Sequence, residues 1–449
     1  MAAQKDLIYG LNDRPPLRET LFAALQHLLA IFVAIITPPL IIASALRFDI
    51  QTTGFLVSMS LFVSGIATFI QSHRVGPIGT GLLCIQGTSF SFISPIISAG
   101  MLGMVNGKMD VALGLSYVFG GCLVASVVEM TVSRILPYTR KVITPLVAGI
   151  VVTLIGLCLI KAGINSCGGG QAAIDDGTFG SIRNLGLAVL VLVTIIFFNR
   201  SANRFLRMGS IVLGLLVGCV AAYCLGMIHF SDIHATGSLN IPVPLKYGLR
   251  FDVGTIVGLG LIYLVTAVEA FGDITANSLI SGEPVEGPVF MRRAQGGILA
   301  DGFNSMLAAV FNSFPNSIFA QNNGMIQLTG VASRYVGYFI AGALFLLGLF
   351  PVVGEFFSLI PDCVLGGATL LMFGTVAAAG VRIIASTKMN RKAVLVLAIS
   401  FAMGMSVELV PDILSQMPSV IKSIFSSGIT TGGVTAMIAN ACIRVKADA

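Results

Sequence analysis

Two acidic side chains stand four residues apart in the apolar segment LIYLVTAVEAFGDITANS, where Glu269 and Asp273 are the ionisable positions. A spacing of four places both carboxylates on one face of a helix. Ionisable side chains are costly inside a membrane segment and usually mark function there. Two carboxylates on one buried face repel each other when both are ionised, so the pair indicates a site that binds a proton and a polar ligand.

Two more ionisable side chains interrupt apolar segments. Asp301 lies in GGILADGFNS with no Lys or Arg within one helical turn, so its partner must come from another segment or be a proton. His27 lies in ALQHLLAIFV. A lone histidine on an apolar face is more often a buried, hydrogen-bonded residue than a ligand contact, so we expect His27 to organise a site. Four other acids fall near predicted segment ends, where a position at the membrane–water interface is enough to explain them. They are Glu129, Glu355, Asp362 and Glu408.

The stretch QNNGMIQLTG at 321–330 is rich in amides around Gly324. An amide presents both a donor and an acceptor, which suits a planar ligand with N–H and C=O groups on one edge. Phe90 and Phe92 could stack on such a ligand, and ordinary packing is the alternative for each. The four amide side chains are Gln321, Asn322, Asn323 and Gln327.

Membrane-spanning elements must position these side chains. The chain has 449 residues, of which 55% are hydrophobic and 10% are charged, whereas soluble proteins carry roughly 25% charged residues. This composition excludes a soluble enzyme of ordinary design and predicts an all-helical, polytopic membrane protein.

The eight cysteines form no Cys-x-x-Cys pair and no Cys/His cluster, so no metal site is predicted. The net charge of +6 does not by itself imply a nucleic-acid partner.

We predict 14 transmembrane segments of about 20 residues each. They span 20–45, 52–72, 80–101, 110–134, 141–163, 181–198, 206–228, 253–280, 292–312, 316–331, 333–351, 361–383, 391–409 and 424–444. Segments 3 and 10 are rich in Gly, Ser, Asn and Gln and are not typical of continuous lipid-facing helices. Because they lie seven apart, they predict two inverted repeats of seven segments, and such paired interruptions point to a transporter binding site.

The positive charges predict the orientation in the membrane. If the N-terminus is cytoplasmic, 19 of the 26 Lys and Arg residues fall on the cytoplasmic side. This asymmetry predicts an even number of spans with both termini in the cytoplasm.

The amide-rich stretch resembles the signature of the nucleobase–ascorbate transporter family, also called nucleobase:cation symporter family 2. That signature runs Gln/Glu/Pro-Asn-any-Gly, four variable positions, then Thr and Arg/Lys/Gly. Its fixed places correspond here to Gln321, Asn322, Gly324, Thr329 and Gly330. The similarity continues through LNDRPPL, QHLLAIFV, VEAFGDITA, GGILADG and TGVASRYVG, and is greatest to the bacterial xanthine permease branch.

The resemblance implies a fold in which segments 3 and 10 are each a short strand followed by a half-helix. It implies a core domain from 1–134 and 251–352 (segments 1–4 and 8–11). It implies a gate domain from 135–250 and 353–449 (segments 5–7 and 12–14). It also implies a bacterial inner-membrane protein, and homodimers through the gate domain are common in the family.

The resemblance also assigns roles to individual residues. Glu269 and Gln321 would bind a purine directly, and Phe90 would stack on it. Asp273 and Asp301 would serve transport and proton coupling. Asn322 and His27 match positions that organise the site, and Thr329 completes the signature.

Proton-coupled import of a purine nucleobase, with xanthine as the main substrate, is therefore the expected function. Backbone amides near Phe90 and Ala320 would complete the contacts. Some xanthine permeases carry Asn at the position of Ser89, and the smaller Ser could admit urate. The proton is the coupling ion, no other cofactor is expected, and no catalytic residue is assigned.

Other protein classes remain alternatives to a purine symporter. A transporter of the same architecture could carry uracil or an inorganic anion, although Glu269 would repel an anion. A channel would need a ring or repeated filter of polar residues. An intramembrane aspartyl protease would need Gly-x-Gly-Asp, whereas this chain has Ala270-Phe271-Gly272-Asp273.

Overall fold

Helices make up most of the structure, a computed structural model that describes residues 7–139, 142–203, 206–207, 209–228, 239, 242–417, 425 and 427–443. The helices of the first half are α1 (Leu17–Ala45), α2 (Ile50–His73), α3 (Ile93–Gly100), α4 (Val111–Thr139), α5 (Pro145–Cys167), α6 (Gly170–Asp175), α7 (Ile182–Asn199) and α8 (Ser210–Cys224). Those of the second half are α9 (Val253–Ile280), α10 (Gly287–Val310), α11 (Ala320–Thr329), α12 (Arg334–Leu349), α13 (Pro351–Ser358), α14 (Asp362–Ala385), α15 (Arg391–Leu409) and α16 (Gly428–Cys442).

Within the described residues, four short strands interrupt the helices. They are β1 (Gln86–Thr88), β2 (Met104–Val105), β3 (Lys108–Met109) and β4 (Asn316–Ile318). β1 pairs antiparallel with β4, and β2 pairs antiparallel with β3. Beyond the first pair, Ser89 N donates to Pro315 O at 2.8 Å and Phe319 N donates to Ile85 O at 3.0 Å. The buried backbone of these segments is therefore hydrogen-bonded although it is not helical.

The two amide- and glycine-rich segments have the predicted strand and half-helix form. β1 leads through a 3₁₀ turn at Phe90–Phe92 into α3, and β4 leads into α11. The antiparallel register places Gln86 opposite Ile318 and Thr88 opposite Asn316, so both half-helices begin beside one two-stranded ladder. This geometry is the one expected of two inverted units that meet at the middle of the molecule.

Eight of the described helices are long and apolar enough to cross a membrane, and a ninth crossing is obtained if α12 and α13, bent by 80°, count as one. The count of 14 segments therefore stays a prediction. The other predicted segments are the two strand and half-helix units, the more polar α10, and α8 and α16, each of 15 residues. The predicted bounds of the eighth and thirteenth segments, 253–280 and 391–409, coincide with α9 and α15.

Close helix pairs hold the bundle together. α2 packs along α12, α4 packs along α10, and α5 packs along α14. Small residues make these approaches possible, since a Cβ on Gly156 of α5 would lie 2.3 Å from Ala377 N of α14. Likewise a Cβ on Gly348 of α12 would lie 2.3 Å from Phe62 N of α2. Van der Waals packing of small residues is the usual source of helix association inside a bilayer.

Candidate functional site

The amide-rich stretch folds as α11, and its first turn is held by a chain of hydrogen bonds from two other elements. His27 Nδ1 of α1 lies 2.8 Å from Asn322 Oδ1, and an amide oxygen only accepts, so Nδ1 carries the proton. Asn322 Nδ2 donates to Leu83 O at 2.5 Å, just before β1. His27 and Asn322 are fully buried. The His27 hydrogen bond therefore ties the first turn of α11 to α1.

The first acid of the α9 pair reaches the turn that follows β1. Ser91 Oγ donates to Glu269 Oε2 at 3.2 Å, and Ser91 lies in the 3₁₀ turn beside Phe90. The Glu269 side chain is half-buried, whereas Ser89 and Phe90 are buried. The structure thus brings Glu269, Ser89 and Phe90 to one place, although Glu269 and Ser91 are 178 residues apart in the chain.

The two phenylalanines of that turn have different surroundings. Phe90 meets Phe373 of α14 edge to face, with ring centroids 5.3 Å apart. Phe92 is fully buried, and its ring centroid lies 4.6 Å from that of Tyr263 on α9. Phe92 therefore packs within the protein, whereas Phe90 lies where the first half of the chain meets α14.

The second acid of the α9 pair lies beside α11. Asn323 Nδ2 donates to the backbone carbonyl of Asp273 at 3.3 Å, and Asn277 Nδ2 donates to Asn323 Oδ1 at 2.9 Å. The Asp273 side chain is 4% exposed, and its Oδ2 has no hydrogen-bond partner among the described residues. These contacts fix α9 against α11, so that Asp273 and the amides lie along one boundary.

The acid of α10 is held by amides that sequence reasoning missed. Gln71 Nε2 of α2 donates to Asp301 Oδ1 at 2.9 Å, and Gln86 Nε2 of β1 donates to the same oxygen. Asn304 Nδ2 in turn donates to Gln86 Oε1 at 2.5 Å. Asp301 is fully buried, and this network ties it to β1. Gln71 and Gln86 each interrupt an apolar stretch, which is the signal that could have identified them.

The first and last residues of α11 serve different purposes. Ala320 and Gln321 are half-buried at its N-terminal end, where the first backbone N–H groups of a helix have no helical partner. A Cβ added to Gly324 would meet nothing within 4 Å, so this face of α11 borders open space. Thr329 lies eight residues, roughly 12 Å, along the helix from Gln321, and its hydroxyl donates to Met325 O at 2.8 Å. Thr329 therefore closes the helix end and does not share the site of Gln321.

Two acids expected near segment ends lie inside the protein, which corrects the sequence prediction. Glu129 is 1% exposed in the interior of α4, because α4 runs to Thr139 rather than ending near 134. Glu355 is buried on α13, where a Cβ on Gly54 of α2 would lie 2.9 Å from its Cγ. Asp362 begins α14 as expected, and its Oδ2 accepts a hydrogen bond from Ser44 Oγ at 2.6 Å.

The acids of the site have no basic partner in the described part of the chain. The ion pairs found there are Arg47–Asp175, Lys161–Glu408 and Arg293–Glu283. Within the same residues, no group of three or more His, Cys, Asp and Glu side chains could hold a metal ion. The site therefore offers carboxyl groups, an amide side chain, a helix N-terminus and one aromatic ring. These groups can bind a small planar ligand by its edges and one face.

Sequence comparisons identify relatives over almost the whole chain. A family model described as Permease family (Xan_ur_permease) matches residues 18–413. The chain is 51% identical over 436 residues to the xanthine permease XanP of Escherichia coli (strain K12), covering 97% of this chain and 94% of that protein. It is 46% identical over 438 residues to XanQ, a xanthine permease of the same strain, covering 98% and 94%. It is 32% identical over 421 residues to the uric acid permease PucJ of Bacillus subtilis (strain 168), covering 93% and 91%.

Solved structures share the architecture at low sequence identity. The transmembrane domain of the cyanobacterial bicarbonate transporter BicA superimposes with a TM-score of 0.58 at 16% identity, covering 93% of this chain and 99% of that domain. At this identity the similarity concerns the fold alone. It confirms that the helices, with their two strand and half-helix units, form a membrane-transporter fold.

Proposed function

We propose that this chain, which belongs to the nucleobase–ascorbate transporter family, imports a purine nucleobase together with a proton. Xanthine is the proposed main substrate. The observation that carries the proposal is that α9 contacts both units: Ser91, beside Phe90, donates to Glu269, and Asn323 of α11 is hydrogen-bonded to Asp273 and Asn277. A carboxyl group, an aromatic ring and an amide are the groups that a purine base can pair with and stack on. Permeases are transporters, so we assign no catalytic residue.

In the proposed complex, Glu269 and Gln321 bind two edges of the purine while Phe90 stacks on its face. Backbone N–H groups near Phe90 and Ala320 complete the contacts, and Gly324 leaves room beside them. Support comes from the half-buried placement of Glu269 and Gln321, which leaves both side chains accessible to a ligand. The hydrogen bonds of Asn322 with His27 and Leu83 O hold the first turn of α11 in place.

We propose that the proton binds within the group formed by Glu269, Asp273 and Asp301. None of the three takes part in an ion pair within the described residues, so a proton is the cation that can neutralise them when the substrate is bound. The amides of Gln71 and Gln86 stabilise Asp301 in either state, because each can donate to it. The proton gradient would then drive accumulation of the purine.

Alternating access would move the core domain (1–134 and 251–352) against the gate domain (135–250 and 353–449). The contacts that cross this boundary include Phe90 with Phe373, Ser44 with Asp362, and Arg47 with Asp175. α13 packs on α2, which favours its moving with the core. We further propose an inner-membrane location with both termini in the cytoplasm, and a homodimer through the gate domain.

Urate is a second candidate substrate, favoured by one residue. Ser89 lies next to Phe90, it is 2% exposed, and its hydroxyl has no hydrogen-bond partner within the part of the chain described. A small side chain here leaves more room at the imidazole side of a bound purine than the Asn of some xanthine permeases. That room would accept the C8 oxygen of urate.

The test is uptake of labelled xanthine by cells that express the protein, with Glu269→Gln and Gln321→Ala variants at equal membrane levels. We expect saturable uptake by the wild type and almost none by either variant, whereas Glu408→Gln on α15 should leave uptake unchanged. Near wild-type uptake by both site variants would refute the assignment. Competition by urate, hypoxanthine, guanine, uracil and bicarbonate, at two pH values and with a protonophore, would rank the ligands and test proton coupling.

A further inference from the structure

Glu129 is a buried acid that the proposed transport mechanism does not use. It lies on α4, its side chain is 1% exposed, and its Oε2 has no hydrogen-bond partner in the described ranges. α4 packs against α9 and α10, the two helices that carry the acids of the site. An acid in this position needs an explanation, because a buried polar atom without a partner destabilises the folded state.

The hydrogen-bond geometry around Glu129 indicates that it is a neutral acid. Thr266 Oγ1 of α9 lies 3.2 Å from Glu129 Oε1 and also 3.2 Å from the backbone oxygen of Tyr263. A threonine hydroxyl has one hydrogen, and a carbonyl oxygen can only accept. When Thr266 donates to Tyr263 O, the hydrogen between Thr266 and Glu129 must come from Glu129. The other arrangement would leave a buried carboxylate with one bonded and one unpartnered oxygen.

The contact of Glu129 falls one helical turn from the proposed ligand-binding acid. Thr266 precedes Glu269 by three residues, so the two side chains lie on the same face of α9. α10 also packs closely on α4 next to Glu129, because a Cβ on Gly302 of α10 would lie 2.8 Å from Cγ of Met130. The titratable groups that α9 and α10 carry near Glu129 are Tyr263, Glu269 and Asp301, and α3, which also packs on α4, carries none.

We propose that Glu129 is a positioning residue of the transport site: as a neutral acid it donates a hydrogen bond to Thr266 and thereby fixes the face of α9 that presents Glu269. It keeps its proton throughout the transport cycle, so it is distinct from the group that carries the transported proton. The inference rests on the proposed function, because the effect of Glu129 on the position of Glu269 is measured through purine uptake. The protonation of Glu129 can be tested without any substrate.

The transport test compares Glu129→Gln, Glu129→Leu and Thr266→Val at equal membrane levels. Gln is neutral and can donate to Thr266, so we expect wild-type KM, maximal rate and pH profile. Leu and Val each remove the hydrogen bond, and we expect the KM for xanthine to rise up to about tenfold, the equivalent of one lost hydrogen bond. The Glu129→Leu/Thr266→Val double variant should be no worse than the single variants, because both remove the same contact.

Infrared difference spectroscopy on the purified protein at neutral pH tests the protonation. The C=O band of a protonated carboxylic acid should weaken in Glu129→Gln and remain in the matched control Glu408→Gln. The proposal is refuted if the band does not change, if Glu129→Gln is as impaired as Glu129→Leu, or if Glu129→Gln shifts the pH profile. If Glu129→Leu does not reach the membrane, the uptake kinetics of Thr266→Val and the infrared result test the proposal. Absence of uptake by the wild type would refute the proposed function and leave the infrared result standing.

Discussion

At the scale of single residues, the site depends on short polar contacts between side chains that are distant in the chain. Asn322 receives a hydrogen bond from His27 and donates one to Leu83 O, which leaves it little freedom. Glu269, by contrast, accepts one described hydrogen bond, from Ser91, and is half-buried. The supporting amide thus uses both its oxygen and its nitrogen within the protein, whereas one oxygen of the acid proposed to bind the ligand has no described hydrogen bond.

Ser91→Ala should weaken substrate binding because it removes the hydrogen bond that orients Glu269. We expect the KM for xanthine to rise by about two- to tenfold, the range for one neutral donor to a carboxyl group, with the maximal rate less affected. Uptake kinetics at equal membrane levels measure this change. Ser94→Ala is the control, because Ser94 is exposed on α3. An unchanged KM in Ser91→Ala would show that Glu269 is oriented without Ser91.

Gln86→Leu should destabilise the protein because Asp301 loses a donor and Asn304 loses an acceptor. Asp301 keeps the hydrogen bond from Gln71, so the cost is that of the lost hydrogen bonds, about 0.5–1.5 kcal/mol each. We expect a lower thermal unfolding temperature in detergent, together with reduced uptake. Gln295→Leu is the control, since Gln295 is half-buried on the same helix as Asp301 and has no side-chain hydrogen bond among the described residues. Equal stability of the two variants would contradict the role assigned to Gln86.

At the scale of elements, two short strands and two half-helices replace a pair of continuous helices. β1 and β4 pair at three positions, so the ladder is short and depends on close packing from both sides. Breaking two helices at membrane depth leaves backbone groups that need partners. The ladder supplies them, and it also places the N-terminal end of α11 in the protein interior, where its free N–H groups are available to a ligand.

Gly87→Val should disrupt this ladder. A Cβ at Gly87 would lie 2.6 Å from Ile35 Cγ1 and 2.7 Å from Phe319 Cε2, and both side chains are buried and cannot move aside. Overpacking of this kind costs about 1–3 kcal/mol. We expect a lower unfolding temperature and a loss of uptake. Gly342→Ala on α12 is the control, because its Cβ would meet nothing within 4 Å, and comparable damage in both variants would argue against the steric explanation.

At the scale of the whole molecule, side-chain contacts near the C-terminal end of α1 join the proposed core domain to the proposed gate domain. Ser44 at the end of α1 donates to Asp362 at the start of α14, and Arg47 pairs with Asp175 of α6 at 2.7 Å. The Arg47–Asp175 pair is exposed and contributes little to stability. One hydrogen bond and one exposed ion pair can break and reform as one domain moves against the other, which alternating access requires.

Cysteines at positions 44 and 362 should lock the transporter when they are joined. In a background without the native cysteines, we expect oxidation of the Ser44→Cys/Asp362→Cys variant to stop xanthine uptake and dithiothreitol to restore it. The reason is that the link would prevent the end of α1 from separating from α14. Thiol labelling measures the extent of linkage, and the two single-cysteine variants are the controls. Full uptake by a completely linked protein would mean that this contact does not open during transport.

Residue types and their order along the chain are enough to predict the lipid bilayer as the environment, the pattern of apolar segments and the principal acids. Glu269, Asp273 and Asp301 could be identified because a charge within an apolar segment is a local property that needs no partner to be recognised. The interruptions at β1 and β4 were visible for the same reason, since Gly, Ser and Asn are poor components of a lipid-facing helix. The motif resemblance added the strand and half-helix form, which the structure confirms.

Which side chains contact one another becomes apparent from the folded arrangement of the helices. His27 and Asn322 are 295 residues apart, Ser91 and Glu269 are 178 apart, and Glu129 reaches Thr266 across 137. Hydropathy predicts Glu129 near a segment end because it does not show where a helix such as α4 continues into a buried interface. Contacts between helices depend on their relative rotation and depth, which follow from packing along the whole bundle, and a local pattern carries no record of either.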